Sequence, residues 1–105
     1  MTSVSERLSS KLLGLVPDVD GLLYDQGLIP DDEYSKEIGD SGRFQLAYAY
    51  GLVAILLNPN LSEGDWSRSW GDRSALEKLI SSIFNRFAQD ENPLAPQMVN
   101  ISHRW

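Results

Sequence analysis

The sequence predicts an all-α protein, a small bundle of about four helices. Apolar residues recur at spacings of three and four in 44–57 and again in 74–87, which is the period of a helix with a buried face. Capping residues precede these stretches, and prolines and glycines fall between them. The chain of 105 residues is 42% hydrophobic, which suits one domain. We assign 1–92 to the helical domain and 93–105 to a C-terminal tail.

The first helix begins near the N-terminus. Ser3 or Ser5 can cap it, and Gly14 and Pro17 mark its end, since a proline disfavours helix at the residue before it. Its apolar positions fall at helical spacing: Val4, Leu8, Leu12 and Leu15.

A short second helix follows, capped by Asp18 or Asp20 and ending near Gly27. Pro30 and the acidic run 31–33 then predict a further helix start, because proline fits the first turn and acids complement the N-terminal dipole. The sequence leaves open whether this start becomes a full turn or a loop.

The helix over 44–57 is apolar nearly all round, which is typical of a helix at the centre of a bundle. The next helix begins at a Ser-x-x-Glu capping box, Ser74 to Glu77, which Asp72 can extend. We expect these two helices to pack antiparallel, bridged by 58–73. The buried stripe of the second is Leu76, Leu79, Ile80, Ile83, Phe84 and Phe87.

The residues needed for catalysis or metal binding are few. The chain has no cysteine and one histidine, His103, close to its end, where a catalytic base would be poorly held. Asp18 and Asp20 resemble the opening of a calcium loop, but the later ligand positions hold Leu22 and Ile29. We therefore expect no enzyme activity, no metal and no cofactor.

The net charge of −6 lies entirely in residues 1–42, which hold nine acidic and three basic side chains. This distribution lacks the basic surface that phosphate binding requires, so we expect no direct sequence-specific binding of nucleic acid. The acidic part is either a solvated face or a surface that repels passing DNA. No signal peptide and no membrane span are expected, since the longest apolar run is 52–57.

The most distinctive stretch is 61–74, which holds two tryptophans four residues apart. We predict a short extended or β segment at 65–70, in which a period of two places Trp66, Arg68 and Trp70 on one face. Two interpretations stay open. The tryptophans cover the open end of the bundle, with Arg68 stacked between them, or they anchor a protein interface.

The C-terminal tail is expected to be either a short strand or a mobile segment. It carries apolar side chains beyond a proline break: Met98, Val99, Ile101 and Trp105. We hypothesise that these residues meet the Trp66–Trp70 segment of a neighbouring subunit, with the tail adding to it as a strand.

The connection at 27–34, the Ala-rich central helix and the entry to the last helix together resemble small head–tail connector (adaptor or head-completion) proteins of long-tailed phages. The sequence resembles in particular the versions carried by phages and prophages of gut Bacteroidetes. The resemblance covers most of 1–92, and the sequence departs from it at 87–89, where a tyrosine or a glycine-rich helix exit is expected. The residues that carry it are Ser62, Glu63, Gly64, Trp66, Ser67, Ser69, Trp70, Asp72 and Arg73, followed by Leu76, Leu79, Ile83 and Phe87.

The resemblance implies an all-α subunit that forms a ring between the portal and the tail, without catalysis. Its partners would be copies of itself, the portal protein and a tail-completion protein. The protein would be made in the bacterial cytoplasm and reside in the virion at the head–tail junction. The alternative is a helical adaptor or regulator unrelated to virion assembly, and a small enzyme that uses the acidic cluster is a third, weaker class.

Overall fold

The computed structural model describes residues 2–88 and confirms a small all-α bundle. Within this range there is no β-strand, only one isolated bridge between Ser3 and Glu33. A single 3₁₀ turn, Glu63–Asp65, precedes the fifth helix. The helices are α1 (Val4–Lys11), α2 (Val19–Asp25), α3 (Lys36–Asp40), α4 (Gly42–Leu57), α5 (Ser67–Trp70) and α6 (Arg73–Phe87).

Side-chain caps set the starts of α1 and α2, as the sequence predicts. The Ser3 hydroxyl accepts the Glu6 N–H, and the Glu6 carboxylate accepts the Ser3 N–H, both at 3.1 Å, which completes a capping box. Asp18 accepts the Gly21 N–H at 3.1 Å at the start of α2. Between them the chain turns through Leu13 and Gly14, which both have positive φ.

The sequence left open whether the start at Pro30 becomes a full helical turn or a loop, and the structure has a loop there. The carbonyls of Pro30 and Asp32 accept the N–H groups of Ser5 and Val4 at 3.0 and 2.8 Å. These are first-turn N–H groups of α1, which have no partner inside their own helix. Residues 30–34 therefore complete the N-terminus of α1, and α3 begins only after Ser35, whose hydroxyl accepts the Ile38 N–H.

The centre of the fold is α4, which packs against α2, α3 and α6. A Cβ at Gly42, the first residue of α4, would lie 3.0 Å from the ring of Phe87, the last residue of α6. The ring of Tyr50 meets that of Phe84 edge-on at 4.9 Å. The start of α4 thus lies beside the end of α6, so the two helices run antiparallel.

The cap of α6 is Asp72, whose carboxylate accepts the Ala75 N–H at 2.9 Å, and not Ser74. Of the predicted stripe on α6, Leu79 and Phe87 are only partly buried. The buried members of the stripe are Leu76, Ile80, Ile83 and Phe84.

No helix among residues 2–88 is long and apolar enough to cross a membrane.

Candidate protein interface

The segment predicted to be extended at 65–70 is helical, so that prediction is wrong. The carbonyl of Trp66 accepts the N–H groups of Ser69 and Trp70 at 3.1 and 3.3 Å. The preceding turn closes through Asp65, whose carboxylate accepts the Ser62 N–H at 2.7 Å. Local side-chain capping and a helical turn satisfy backbone groups that an extended segment would leave for another strand.

The helical turn separates the three residues that a period of two would place on one face. The Trp66 side chain is 4% exposed and belongs to the core, which supports the interpretation that it covers the bundle. Trp70 is half-buried, whereas Arg68 is exposed and contacts no ring within residues 2–88. The side chains of Arg68 and Trp70 therefore have solvent-exposed surface that a partner can contact, whereas Trp66 has little exposed surface.

Trp70 is anchored to the central helix by a polar contact. Its indole N–H donates to the hydroxyl of Tyr48 at 3.1 Å. The ammonium of Lys11 lies 4.9 Å from the centre of the Tyr48 ring and 5.8 Å from that of Phe44. One side of α4 is thus joined to α1 by a cation and to α5 by a hydrogen bond.

Further ring and cation contacts continue from Phe44 toward the start of α1. The ring of Tyr34 lies 5.4 Å from that of Phe44, and the guanidinium of Arg7 lies 5.6 Å from the centre of the Tyr34 ring. Phe44 is buried, Arg7 is exposed and the other members are half-buried. We call this surface the aromatic ladder: Arg7, Tyr34, Phe44, Lys11, Tyr48 and Trp70.

Burial affects the two ionisable groups at the middle of the ladder. Desolvation lowers the pKa of Lys11, with Arg7 acting in the same direction and Asp40 opposing it. Desolvation raises the pKa of Tyr48, although the hydrogen bond from Trp70 opposes the rise. Because the folded-state pKa of Tyr48 is raised, its contribution to stability is complete below its ordinary pKa of 10.0 and is lost as the pH rises through the folded-state value.

Of the residues in the aromatic ladder, only Trp70 was predicted from the sequence as a candidate interface residue. The available signal was the matched spacing of Arg7 with Lys11 and of Phe44 with Tyr48, four residues apart on two helices. The predicted interface residues Met98, Val99, Ile101 and Trp105, like His103, lie outside the described residues.

The acidic run 31–33 is exposed, and residues 2–88 contain no group of three or more carboxylate or imidazole ligands placed to hold a metal ion. The clefts on the surface of residues 2–88 are open to solvent. The cleft between α4 and α6 has a volume of about 480 Å³ and is lined by Asp40, Gln45, Ser82, Ile83, Arg86 and Phe87. The aromatic ladder is therefore the candidate functional site.

The hydrogen bond between Trp70 and Tyr48 gives a first prediction. Tyr48→Phe removes the acceptor of the half-buried indole N–H while keeping the ring under Lys11, and we expect it to cost about 1 kcal/mol of unfolding free energy. Urea denaturation measures the change. Tyr24→Phe is the matched control, because Tyr24 is 66% exposed and should leave stability unchanged. Equal stability of Tyr48→Phe and wild type would show that this contact does not hold α5 in place.

Comparison with known proteins gives one positive result. A family model described as a family of unknown function, DUF6706, matches residues 3–105. Neither the curated proteins nor the solved structures yielded a match. Because the matched range covers nearly the whole sequence, the chain belongs to the DUF6706 family, whose function is unknown.

Proposed function

We propose that this protein is a structural head–tail connector of a phage or prophage. Copies of it form a ring between the portal and the tail, which seals and extends the DNA channel without catalysis. Its partners are neighbouring copies, the portal protein and a tail-completion protein, and its place is the head–tail junction of the virion. The starting point is the sequence resemblance carried by residues 62–73 and by the stripe of α6.

The aromatic ladder is the structural observation that carries the proposal. Tyrosine, tryptophan and arginine are the side chains most enriched at the energetic centres of protein interfaces. In this protein Tyr34, Tyr48 and Trp70 are half-buried, with Arg7 exposed beside them. A surface of this kind is pre-organised, because ring contacts and the indole hydrogen bond already fix its side chains.

A closed ring needs a heterologous interface, in which two different patches of one subunit meet those of its neighbours. We assign Arg68 and Trp70, with the adjoining ladder, to one patch. The tail residues Met98, Val99, Ile101 and Trp105 remain predicted interface residues. We do not propose that the tail adds as a strand to 66–70 of a neighbouring subunit, since the backbone there is helical.

The charge distribution is compatible with a wall around passing DNA. All nine acidic side chains of residues 1–42 are exposed. Two of the three basic residues in this part, Arg7 and Lys11, lie over aromatic rings. Within residues 2–88 the single ion pair is Arg73 with Glu77, so none of these acids is neutralised by a salt bridge there.

The second prediction concerns DNA. We expect no measurable binding to duplex DNA at physiological salt, because the protein offers few cations to displace counterions from phosphates. Fluorescence anisotropy with a labelled duplex is a suitable assay. Submicromolar binding that weakens with added salt would contradict the proposal and would favour the alternative, a helical adaptor or regulator unrelated to virion assembly.

The third prediction tests the connector role. Purified protein should co-sediment with tailless, portal-bearing capsids encoded by the same genome. The variant Arg7→Glu/Arg68→Glu reverses two exposed charges at the proposed interface, and we expect it to weaken binding by about tenfold or more, as loss of interface hot spots does.

The control for that experiment is Lys78→Glu/Arg86→Glu, which makes the same change in charge at two exposed residues of α6. We expect its binding to stay close to that of wild type. Helicity measured by circular dichroism confirms that each variant is folded. Failure of the folded wild-type protein to bind these capsids would contradict the proposed function, and equal losses in both variants would remove the ladder from the interface.

A further inference from the structure

A second apolar surface lies along one side of α4. Gly42, Leu46, Tyr50, Val53 and Leu57 follow one another at spacings of three and four, so they form a single row along the helix. Leu46 and Val53 are half-buried, and Leu57 is 63% exposed. We call these five residues the α4 row.

Tyr50 locates the row relative to the neighbouring helices. Its ring contacts Phe84 of α6 edge-on, and it lines a groove of about 430 Å³ with the α2 residues Leu22, Asp25 and Gln26. Tyr50, at the middle of the row, therefore lies between α2 and α6. The exposed apolar surface of the row comes from Leu46, Val53 and Leu57.

The chain leaves α6 at one end of this row. The ring of Phe87 lies against Gly42, the first position of the row, and Ala88 leaves the helical conformation with φ −158° and ψ 62°. The family match extends to residue 105, so residues 89–105 belong to the same family domain as the bundle. The chain thus leaves α6 beside the first position of the row.

We propose that residues 98–105 of the same chain pack on this side of α4 and cover the α4 row. The segment carries four large apolar side chains in eight residues, Met98, Val99, Ile101 and Trp105, which match the apolar side chains of the row. The distance from Leu46 to Leu57 along the helix is about 16 Å. The residues from 89 to 98 can span up to about 33 Å, so the segment reaches every point of the row even if the chain turns on the way.

This inference concerns the isolated subunit and does not depend on the connector role. Burying the row would remove apolar surface from water, which is the driving force for such docking. It also differs from the sequence-based hypothesis, in which the tail meets the Trp66–Trp70 segment of a neighbour. Trp66 is buried, whereas Leu57 is among the most exposed large apolar side chains of the described part of the chain.

The absence of cysteine allows a direct test by paramagnetic relaxation. Ser102→Cys places one nitroxide within the segment of ¹⁵N-labelled protein. We expect the amide signals of Leu46, Val53 and Leu57 to lose most of their intensity and to recover when the nitroxide is reduced. Unchanged signals along the row in a protein of wild-type helicity would overturn the proposal.

Two further samples make the test specific. In the first, ¹⁵N-labelled protein without nitroxide is mixed with unlabelled protein that carries it. We expect no broadening, and broadening equal to that in the doubly labelled sample would assign the α4 row to the segment of a second copy and overturn the same-chain proposal. In the second, Leu57→Gln should restore much of the lost signal, whereas Leu13→Gln, at another exposed leucine off the row, should not. Equal effects of these two substitutions would also overturn it.

Discussion

Leu52→Ala is expected to lower the free energy of unfolding by about 2–5 kcal/mol, the range for truncation of a buried leucine. Leu52 lies in the middle of α4 and is fully buried. Because α4 packs against α2, α3 and α6, a cavity at its centre removes contacts from several helices at once. Chemical denaturation monitored by far-ultraviolet circular dichroism gives the change.

The same substitution at an exposed position is the control for Leu52→Ala. Leu13 is 43% exposed in the turn after α1, so Leu13→Ala should change stability by no more than about 0.5 kcal/mol. If both variants lost stability equally, or if Leu52→Ala unfolded like wild type, α4 would not be the central helix of the bundle.

Gly51→Ala is expected to destabilise the protein by about 1–3 kcal/mol, although the same change in most helices is stabilising. An added Cβ at Gly51 would overlap a terminal methyl of Leu12, which is fully buried, so the Leu12 side chain would have to shift within the core. The lack of a side chain at Gly51 is therefore what allows the end of α1 to approach α4 closely. Thermal unfolding of the purified variants measures the effect.

A double-mutant cycle shows whether that contact is the cause. Leu12→Ala alone opens a cavity, but in combination with Gly51→Ala it also removes the overlap. The two changes should thus cost less together than the sum of their separate effects. Additive losses would place the strain elsewhere, and a stabilised Gly51→Ala protein would contradict the close approach of α1 to α4.

Local signals in the sequence predicted most of the helices. Ser3 with Glu6 and Asp18 with Gly21 are contacts between residues three apart, so the residues that cap α1 and α2 are visible as short patterns. The apolar periodicity likewise predicted α4 and α6 to within two residues at each end.

The wrong prediction at 65–70 and the open question at Pro30 have a common physical origin in contacts distant along the chain. The carbonyl of Asp32 accepts the N–H of Val4, and this contact keeps residues 30–34 from starting a helix. The alternation in 65–70 favoured an extended segment, but burial of Trp66 in the core and the bond from Trp70 to Tyr48 fix a helical turn. Contacts between residues so far apart along the chain cannot be predicted from a local sequence pattern.

The candidate site could be predicted only in part for the same reason. Trp70 and Arg68 stand out by residue type, since tryptophan and arginine are frequent at interfaces. The ladder that supports Trp70 joins Lys11, Tyr34 and Tyr48 from separate elements. Such a set becomes visible only when the helices are packed.

Electron microscopy of portal-bearing capsids incubated with the purified protein tests the central claim most directly. The proposed connector role predicts a closed ring of this protein on the portal vertex, coaxial with the DNA channel, with the side bearing Arg68 and Trp70 at a subunit or portal contact. A portal vertex without added density, in the presence of folded protein at saturating concentration, would contradict it.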